Sequence, residues 1–305
     1  MIHFIRLRGL IRKLRKPFGV LGDILRIRIK EYKKREKPIN SDYDLGNNVL
    51  LYYWRLDLDN KENNITNENL GDYLSKVVIT HLVPNKTHYN TLSQPITLYG
   101  IGSILGFRCQ NAVVWGSGIL NPNKKYLYRI CLSELDIRAV RGPNTRKLLL
   151  SMGKKCPKIY GDPAILMPYI FKPKNCKKEY NVSLILHYSN DTSFEFYGRE
   201  KINCINIMTT NYEFFITEII KSKRIISSSL HGIILAEAYR VPAVLLLKEG
   251  HSLFKFEDYY ISTGRNDIIV AHSIEEALKI CPMPLPDFHE MQDKLLNSFP
   301  YDLWE

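Results

Sequence analysis

The sequence lacks several features that would place it in a familiar class of protein. Its six cysteines are scattered, and none pairs with another at the two- to four-residue spacing of a structural zinc site, so no metal is predicted. No run of roughly 18 uninterrupted apolar residues is present to span a membrane. Arginines interrupt every apolar stretch near the start, so no cleavable signal peptide is predicted. The cysteines are therefore expected to be reduced thiols of a cytoplasmic protein.

Most of the chain also lacks an excess of charge, because the excess is confined to residues 1–40. These residues hold 13 Lys and Arg against three acidic residues, which is +10 of the whole chain's +12. The remaining 265 residues hold 30 basic and 28 acidic residues. A nearly neutral body gives no argument for binding nucleic acid, and no such partner is predicted.

Residues 1–40 combine their cations with apolar residues at helical spacing. The apolar side recurs at threes and fours opposite a basic face, and consists of Ile5, Leu7, Leu10, Ile11, Leu14 and Phe18. Such a helix can lie flat on an anionic membrane surface, where each cation contributes on the order of 1 kcal/mol. The alternatives are a solvated basic helix packed on the body or a nucleic-acid tail, although aromatic residues that stack on bases are scarce here.

Beyond residue 40, short apolar strands alternate with helical patterns. Before a Lys- and Pro-rich hinge at 172–178, strands are predicted at 49–55, 96–99, 112–115 and 137–140, with helices at 74–82 and 145–152. After the hinge, strands are predicted at 182–187, 202–207, 224–227 and 243–247, with helices at 212–222 and 228–239. This alternation is typical of parallel βαβ units. It predicts an α/β protein with two Rossmann-like domains facing a cleft, residues 41–171 and residues 172–305.

Residues able to carry chemistry follow the predicted strands, at the edge where open parallel sheets bind ligands. One strand runs into three serines, Leu230, His231 and Gly232, where hydroxyls and free helix amides would bind an anion. His231 can exchange a proton near neutral pH. Arg141 follows another strand and can present its planar fork to a carboxylate or phosphate. The alternatives here are a serine cap with a structural histidine, and a surface ion pair for Arg141.

Weaker candidates surround this set. Asp72 either orients a sugar hydroxyl or caps a helix. The turn of Gly116, Ser117 and Gly118 leaves room for backbone to approach a ligand, although two glycines usually indicate only a tight turn. His187 ends a predicted strand on the same rim of the cleft, and alone it would more often be structural.

Taken in order, these residues resemble the polysaccharide pyruvyl transferases, in particular the branch of bacterial exopolysaccharide and capsule enzymes. The likeness covers about residues 49–260. The motifs that carry it are Asn69-Leu-Gly-Asp72, Gly116-Ser-Gly118, Ala139-Val-Arg-Gly-Pro-Asn-Thr145, Gly161-Asp-Pro163, Leu186-His187-Tyr188, Ser227-Ser-Ser-Leu-His-Gly232 and Ala236-Glu-Ala238.

The resemblance implies the two-Rossmann architecture of GT-B glycosyltransferases, with the acceptor on residues 41–171 and the donor on residues 172–305. It implies phosphoenolpyruvate as a substrate, a sugar bearing a pyruvate ketal as the product, and no cofactor or metal. The implied donor site comprises Arg141, His187, Ser228, Ser229, Leu230, His231 and Gly232. The implied acceptor side comprises Asn69, Gly71, Asp72, Gly116, Ser117 and Gly118.

Three residues are expected to carry the reaction: His231 as the general acid and base, Arg141 as the anion clamp and Asp72 as the acceptor-side orienter. Many family members carry an arginine where this chain has Ser229, so another cation must balance the phosphate, and the candidates are Lys248 and Arg265.

The resemblance also implies a role for the basic residues 1–40. Capsule units are commonly built on polyprenyl diphosphate, so residues 1–40 are expected to hold a peripheral enzyme at the inner face of the cytoplasmic membrane, beside its acceptor. The competing interpretations are a GT-B glycosyltransferase that uses a nucleotide sugar, and a non-catalytic scaffold of the polysaccharide machinery.

Overall fold

Two β-sheets organise the part of the chain that the structure describes. This computed structural model describes residues 42–55, 68–84, 93–107, 111–122, 124–174, 176–187 and 202–305. The basic helix predicted within residues 1–40 lies outside them. Residues 42–305 form one unit that contains both sheets. The α/β class is confirmed, whereas the GT-B arrangement and the division at residue 171 stay predictions.

The first sheet has its strands in chain order, β1-β2-β3-β4-β5. Its strands are β1 (Tyr43–Asp44), β2 (Val49–Tyr52), β3 (Ile96–Tyr99), β4 (Asn111–Trp115) and β5 (Glu134–Ala139). β1 pairs antiparallel with β2, and all the later pairs are parallel. Strands β2 and β4 are almost wholly buried because helices cover the sheet, which explains their continuous apolar sequences.

The second sheet is entirely parallel and has the order β10-β9-β8-β6-β7. Its strands are β6 (Ser183–Ile185), β7 (Asn203–Cys204), β8 (Ile225–Ser227), β9 (Ala243–Leu246) and β10 (Val270–Ala271). From β6 the chain first adds β7 on one side and then returns to add β8 on the other. The strand order therefore reverses between β6 and β8, which makes the carboxyl ends of these strands the expected ligand position.

Helices connect and cover these strands. The described α-helices are α1 (Leu70–Leu82), α2 (Lys124–Leu132), α3 (Pro143–Ser151), α4 (Met167–Ile170), α5 (Tyr212–Ile220), α6 (Leu230–Ala238), α7 (Phe254–Ser262), α8 (Ile274–Lys279) and α9 (His289–Asn297). In the same described ranges, 3-10 helices cover Pro163–Leu166 and Tyr301–Trp304. No helix in the described ranges is long and apolar enough to cross a membrane.

The end of the chain returns to the first sheet. The indole of Trp115 at the end of β4 donates to the carbonyl of Leu295 in α9 over 2.9 Å, and Trp304 donates to the carbonyl of Leu45 over 3.2 Å. Phe299 packs edge-on against Trp115 and stacks on Trp304. One buried apolar cluster includes residues of both sheets, so the two sheets share one hydrophobic core.

Candidate functional site

A pocket of about 230 Å³ opens where the carboxyl ends of strands from both sheets meet. Its lining comes from the loops after β2, β3, β4 and β6 and from the first turns of α1, α6 and α7. The lining residues are Trp54, Asn69, Asp72, Ser103, Ile104, Phe107, Leu120, His187, Ser229, Leu230, His231 and Lys255. Strands β6 and β8 lead directly into it, so the pocket lies at the reversal of strand order in the second sheet.

The ring of His231, in the first turn of α6, packs against Gly71 of α1 on one side and faces Asp162 on the other. A Cβ added to Gly71 of α1 would come within 1.9 Å of Nδ1 of His231, so only glycine leaves room for the imidazole. On the other side, Nε2 of His231 is 3.5 Å from Oδ2 of Asp162. Both of these atoms are buried without a hydrogen-bond partner among the described residues, which leaves them facing one another. A proton on Nε2 would therefore point at a carboxylate.

Asp162 is held by the chain that follows it. It is fully buried, and its Oδ1 accepts the amide of Ala164 over 3.1 Å as the N-cap of the 3-10 helix Pro163–Leu166. This short helix packs against both α1 and α6. The carboxylate that faces His231 thus has a fixed position, as expected of a group that orients an imidazole.

The serines before α6 hold the strand ends together and do not cap the helix with their side chains. Ser229 is the N-cap residue, with no side-chain hydrogen bond to the helix. The hydroxyl of Ser228 accepts the amide of His187 over 2.8 Å, and that of Ser227 donates to the carbonyl of Ile185 over 2.9 Å. The first amides of α6 have no partner within the helix, so they stay available to an anion.

Asp72 lies in the first turn of α1, where Asn69 occupies the N-cap position without a side-chain cap bond. The capping role considered for Asp72 is therefore not the one it has, and its carboxylate lines the pocket instead. Burial raises the pKa of Asp72 to about 6, while the nearby His231 and Lys255 oppose the rise. A carboxylate with this pKa is ionised at neutral pH and can accept a proton from a hydroxyl.

Arg141 lies behind the pocket. Its guanidinium is fully buried and forms an ion pair with Asp258 of α7 at 3.0 Å. It also donates to the carbonyl of Ile119 over 2.8 Å and to the hydroxyl of Ser103, which lines the pocket. A Cβ on Gly118 would come within 2.3 Å of the guanidinium carbon, so this glycine makes room for Arg141. Direct contact between Arg141 and a ligand stays a prediction.

Lys255 and His187 supply the remaining polar groups of the pocket. Burial and the charge of Arg141 together lower the pKa of Lys255 to about 8, and the charge of Asp72 opposes this effect. Burial also lowers the pKa of His187 to about 4, with a contribution from Lys255. At neutral pH His187 is therefore uncharged, while Lys255 is mostly an ammonium ion.

One wall of the pocket is apolar. Trp54 follows β2 and lies against Phe107, with ring centroids 5.4 Å apart at an interplanar angle of 50°. Trp54 and Leu120 are each 38% exposed, which is high for large apolar side chains. The pocket thus combines charged groups on α1, α6 and α7 with an accessible aromatic surface.

Comparison with known proteins identifies the family to which the chain belongs. The sequence matches the family described as polysaccharide pyruvyl transferase over residues 7–247. The chain belongs to the polysaccharide pyruvyl transferase family. This membership makes it a transferase with a pyruvyl transfer role in polysaccharide synthesis. A relative in Acanthamoeba polyphaga mimivirus, described as an uncharacterised protein, is 29% identical over 204 residues, which cover 63% of this chain and 69% of the relative.

The structure gathers six of the predicted pyruvyl transferase site residues at the pocket: Asn69, Asp72, His187, Ser229, Leu230 and His231. The others lie one step behind it. Gly116, at a φ of 94°, packs against Pro163, and the buried Ser117 donates to the carbonyl of Gly100. Gly232 packs α6 against β8 and β6, because a Cβ there would come within 2.4 Å of the Ser227 hydroxyl and 2.9 Å of the Ile185 side chain.

Neither of the two cations suggested to balance the donor in this pyruvyl transferase lines the pocket. Lys248 is outside its lining, and Arg265 holds Glu237 in a bidentate contact with both distances at 2.7 Å. Sequence reasoning missed Lys255, because no helix was predicted after residue 247. It also assigned no role to Asp162, although that residue stands within a motif of the family. No group of three metal-binding side chains occurs in the described ranges.

Proposed function

We propose that this protein transfers the enolpyruvyl group of phosphoenolpyruvate onto a sugar of a lipid-linked polysaccharide precursor and closes it into a pyruvate ketal. The observation that carries the proposal is that His231, Asp72 and the first residues of α6 line one pocket at the reversal of strand order. Family membership supplies the pyruvyl group and the polysaccharide.

The chemistry follows from the donor, which is an enol ester of phosphate. Protonation of its methylene carbon makes the neighbouring carbon electrophilic, and one sugar hydroxyl adds there and loses its proton. The carbon–phosphate oxygen bond of this adduct then breaks, and a second hydroxyl adds and releases its own proton. One proton ends on the new methyl group and the other on phosphate, so the reaction is balanced without an oxidant or reductant.

His231 is suited to the proton transfers. Asp162 favours a proton on Nε2, which leaves Nδ1 as the ring nitrogen that can accept or give a proton. The first amides of α6 are suited to the anionic oxygens of the donor. Arg141 donates a hydrogen bond to Ser103 and so holds this part of the pocket lining in place. We also propose that Arg141 contacts the anionic donor directly.

The acceptor is proposed to bind between Asp72 and Trp54. The ionised carboxylate of Asp72 can orient a sugar hydroxyl and receive its proton. The exposed indole of Trp54 offers a flat surface for the apolar C–H face of a pyranose ring.

The basic residues 1–40 are proposed to keep the enzyme at the inner face of the cytoplasmic membrane, where such precursors would be presented. Co-sedimentation of the full chain with vesicles containing phosphatidylserine tests this point. Replacing Arg12, Lys13, Arg15 and Lys16 by glutamate should abolish binding, and unchanged binding would refute the anchor.

The reaction itself is tested by incubating the protein with phosphoenolpyruvate and a panel of lipid-linked sugars. Phosphate release together with a pyruvylated product supports the proposal. Transfer from a nucleotide sugar, with phosphoenolpyruvate left intact, would instead identify a GT-B glycosyltransferase. If His231→Ala and Asp72→Ala keep the protein's function, the chain is a scaffold.

A further inference from the structure

Lys255 is the cation of the pocket wall. Among the described lining residues it is the side chain that carries an ammonium or guanidinium group. It lies in the first turn of α7, facing the same cavity as Ser229, Leu230 and His231 at the start of α6. Lys255 and the first turn of α6 therefore border one space, large enough for a small ligand.

The position of Lys255 is unfavourable for a cation in three respects. The first turn of a helix carries partial positive charge, which disfavours a lysine there. Burial and the charge of Arg141 both lower the pKa of Lys255 to about 8. A lysine on the solvated surface would avoid the helix charge, the burial and the repulsion by Arg141. Lys255 is therefore not at this position because it stabilises the fold, which points to a functional role.

The charges around Lys255 leave a place for an anion. Arg141 is already neutralised by Asp258, with which it pairs at 3.0 Å on the inner side of α7. His231 faces Asp162. The charge of Asp72 raises the pKa of Lys255 and so opposes its lowering. The acceptor hydroxyl is proposed to bind to this carboxylate.

We propose that Lys255 binds the phosphate of the phosphoenolpyruvate donor, together with the first amides of α6. This inference rests on the proposed function. It assigns to Lys255 the positive charge that the serine at position 229 does not supply. An ammonium hydrogen bond to a phosphate oxygen, in a pocket partly shielded from water, is among the stronger polar contacts in proteins.

A phosphate group reaches this site from one of two sources, the donor or the diphosphate of a lipid-linked acceptor. Binding of phosphoenolpyruvate to the full-length protein without acceptor distinguishes them, and calorimetry measures it. For Lys255→Met we expect roughly 10- to 100-fold weaker binding of phosphoenolpyruvate. Lys255→Arg, which keeps the charge, should recover most of the affinity. Lys279→Met, an exposed lysine at the end of α8, is the matched control and should bind like the wild type.

A pH series separates an ionic role of Lys255 from a structural one. Between pH 7 and pH 9 the wild-type affinity should fall about tenfold, because the ammonium loses its proton around pH 8. Asp72 and His187, which face the same pocket, have pKa values of about 6 and 4 and complete their titration lower. Phosphate esters are also fully ionised above their second pKa of about 6. Lys255→Arg should show a flat profile.

The outcomes are distinct. If the wild type binds phosphoenolpyruvate and Lys255→Met binds it equally well, Lys255 is not the donor cation, and the proposed function stands. If Lys255→Met loses only affinity for the lipid-linked acceptor, the cation serves the acceptor diphosphate and the assignment is wrong. If the wild type itself does not bind phosphoenolpyruvate, the proposed function fails, and the role of Lys255 fails with it.

Discussion

The replacement of Gly71 by alanine tests whether the position of the His231 ring matters. A Cβ at residue 71 would lie 1.9 Å from Nδ1 and 2.5 Å from Cγ of His231. The ring would have to retreat by about 1.5 Å to restore an ordinary contact of 3.4 Å. Asp162 stands on the other side, so the imidazole has little space in which to move. A misplacement of about 1 Å in a catalytic group costs roughly 100-fold in rate.

We therefore expect Gly71→Ala to lower kcat by roughly 100-fold while the protein remains folded. The assay is phosphate release from phosphoenolpyruvate in the presence of acceptor, with circular dichroism to verify folding. The matched control is Thr80→Ala on the exposed side of α1, which should keep wild-type activity. Alanine itself favours a helix over glycine by about 1 kcal/mol, so a loss of activity would not reflect weaker helix formation.

A stability measurement makes this prediction independent of the assay. The clash should lower the free energy of unfolding by about 1 to 3 kcal/mol in Gly71→Ala. In a His231→Ala background the same replacement should cost much less, because the ring is gone and only the Cβ of residue 231, 2.9 Å from the added Cβ, stays close; a double-mutant cycle measures the difference. Wild-type kcat with zero coupling to His231 would show that Gly71 does not fix the position of the imidazole.

Three further predictions concern the pocket and the ion pair behind it. Asp72→Asn should abolish activity yet raise the free energy of unfolding at pH 7.5 by about 3 kcal/mol, because the folded-state pKa of Asp72 is raised from 3.8 to about 6. Wild-type stability from this group is lost as pH rises from about 4 to 6, so denaturation curves of the two proteins should converge near pH 4. Asp258→Asn should destabilise the fold by about 3 to 5 kcal/mol in urea titrations, because it leaves the fully buried Arg141 without its counterion; a loss of about 1 kcal/mol or less, as for an exposed ion pair, would contradict this. Trp54→Ala should raise the acceptor KM by up to about tenfold with the donor KM unchanged, and the reverse pattern would place the sugar elsewhere.

The elements of the fold that sequence patterns predicted best are short, buried and bounded by clear turns. Strand 96–99 is found with the predicted bounds, and the helix predicted at 145–152 begins at Pro143, the preferred residue for a first helical position. Strand 202–207 shrinks to Asn203–Cys204, since only these residues pair with β6. Apolar runs give the location of a strand, but its ends depend on the length of the neighbouring strand.

The sequence predicts the site residues that directly follow a strand. It does not predict the site residues whose position depends on how a distant helix packs. His231 and His187 follow β8 and β6, so the α/β pattern alone places them at one edge. Lys255 comes from α7, whose position depends on long-range packing against α3 through Asp258. The burial of Arg141 was likewise not foreseeable, because its counterion lies 117 residues further along the chain.

The proposed reaction protonates a pyruvyl donor, which a sugar then attacks, within the pocket that holds His231. The most direct measurement is mass spectrometry of the product formed from phosphoenolpyruvate and acceptor in heavy water. We expect a sugar that gains one pyruvate less one water, with one deuterium in the new methyl group, and loss of this product in His231→Ala. A product without that deuterium, or unchanged phosphoenolpyruvate, would contradict it.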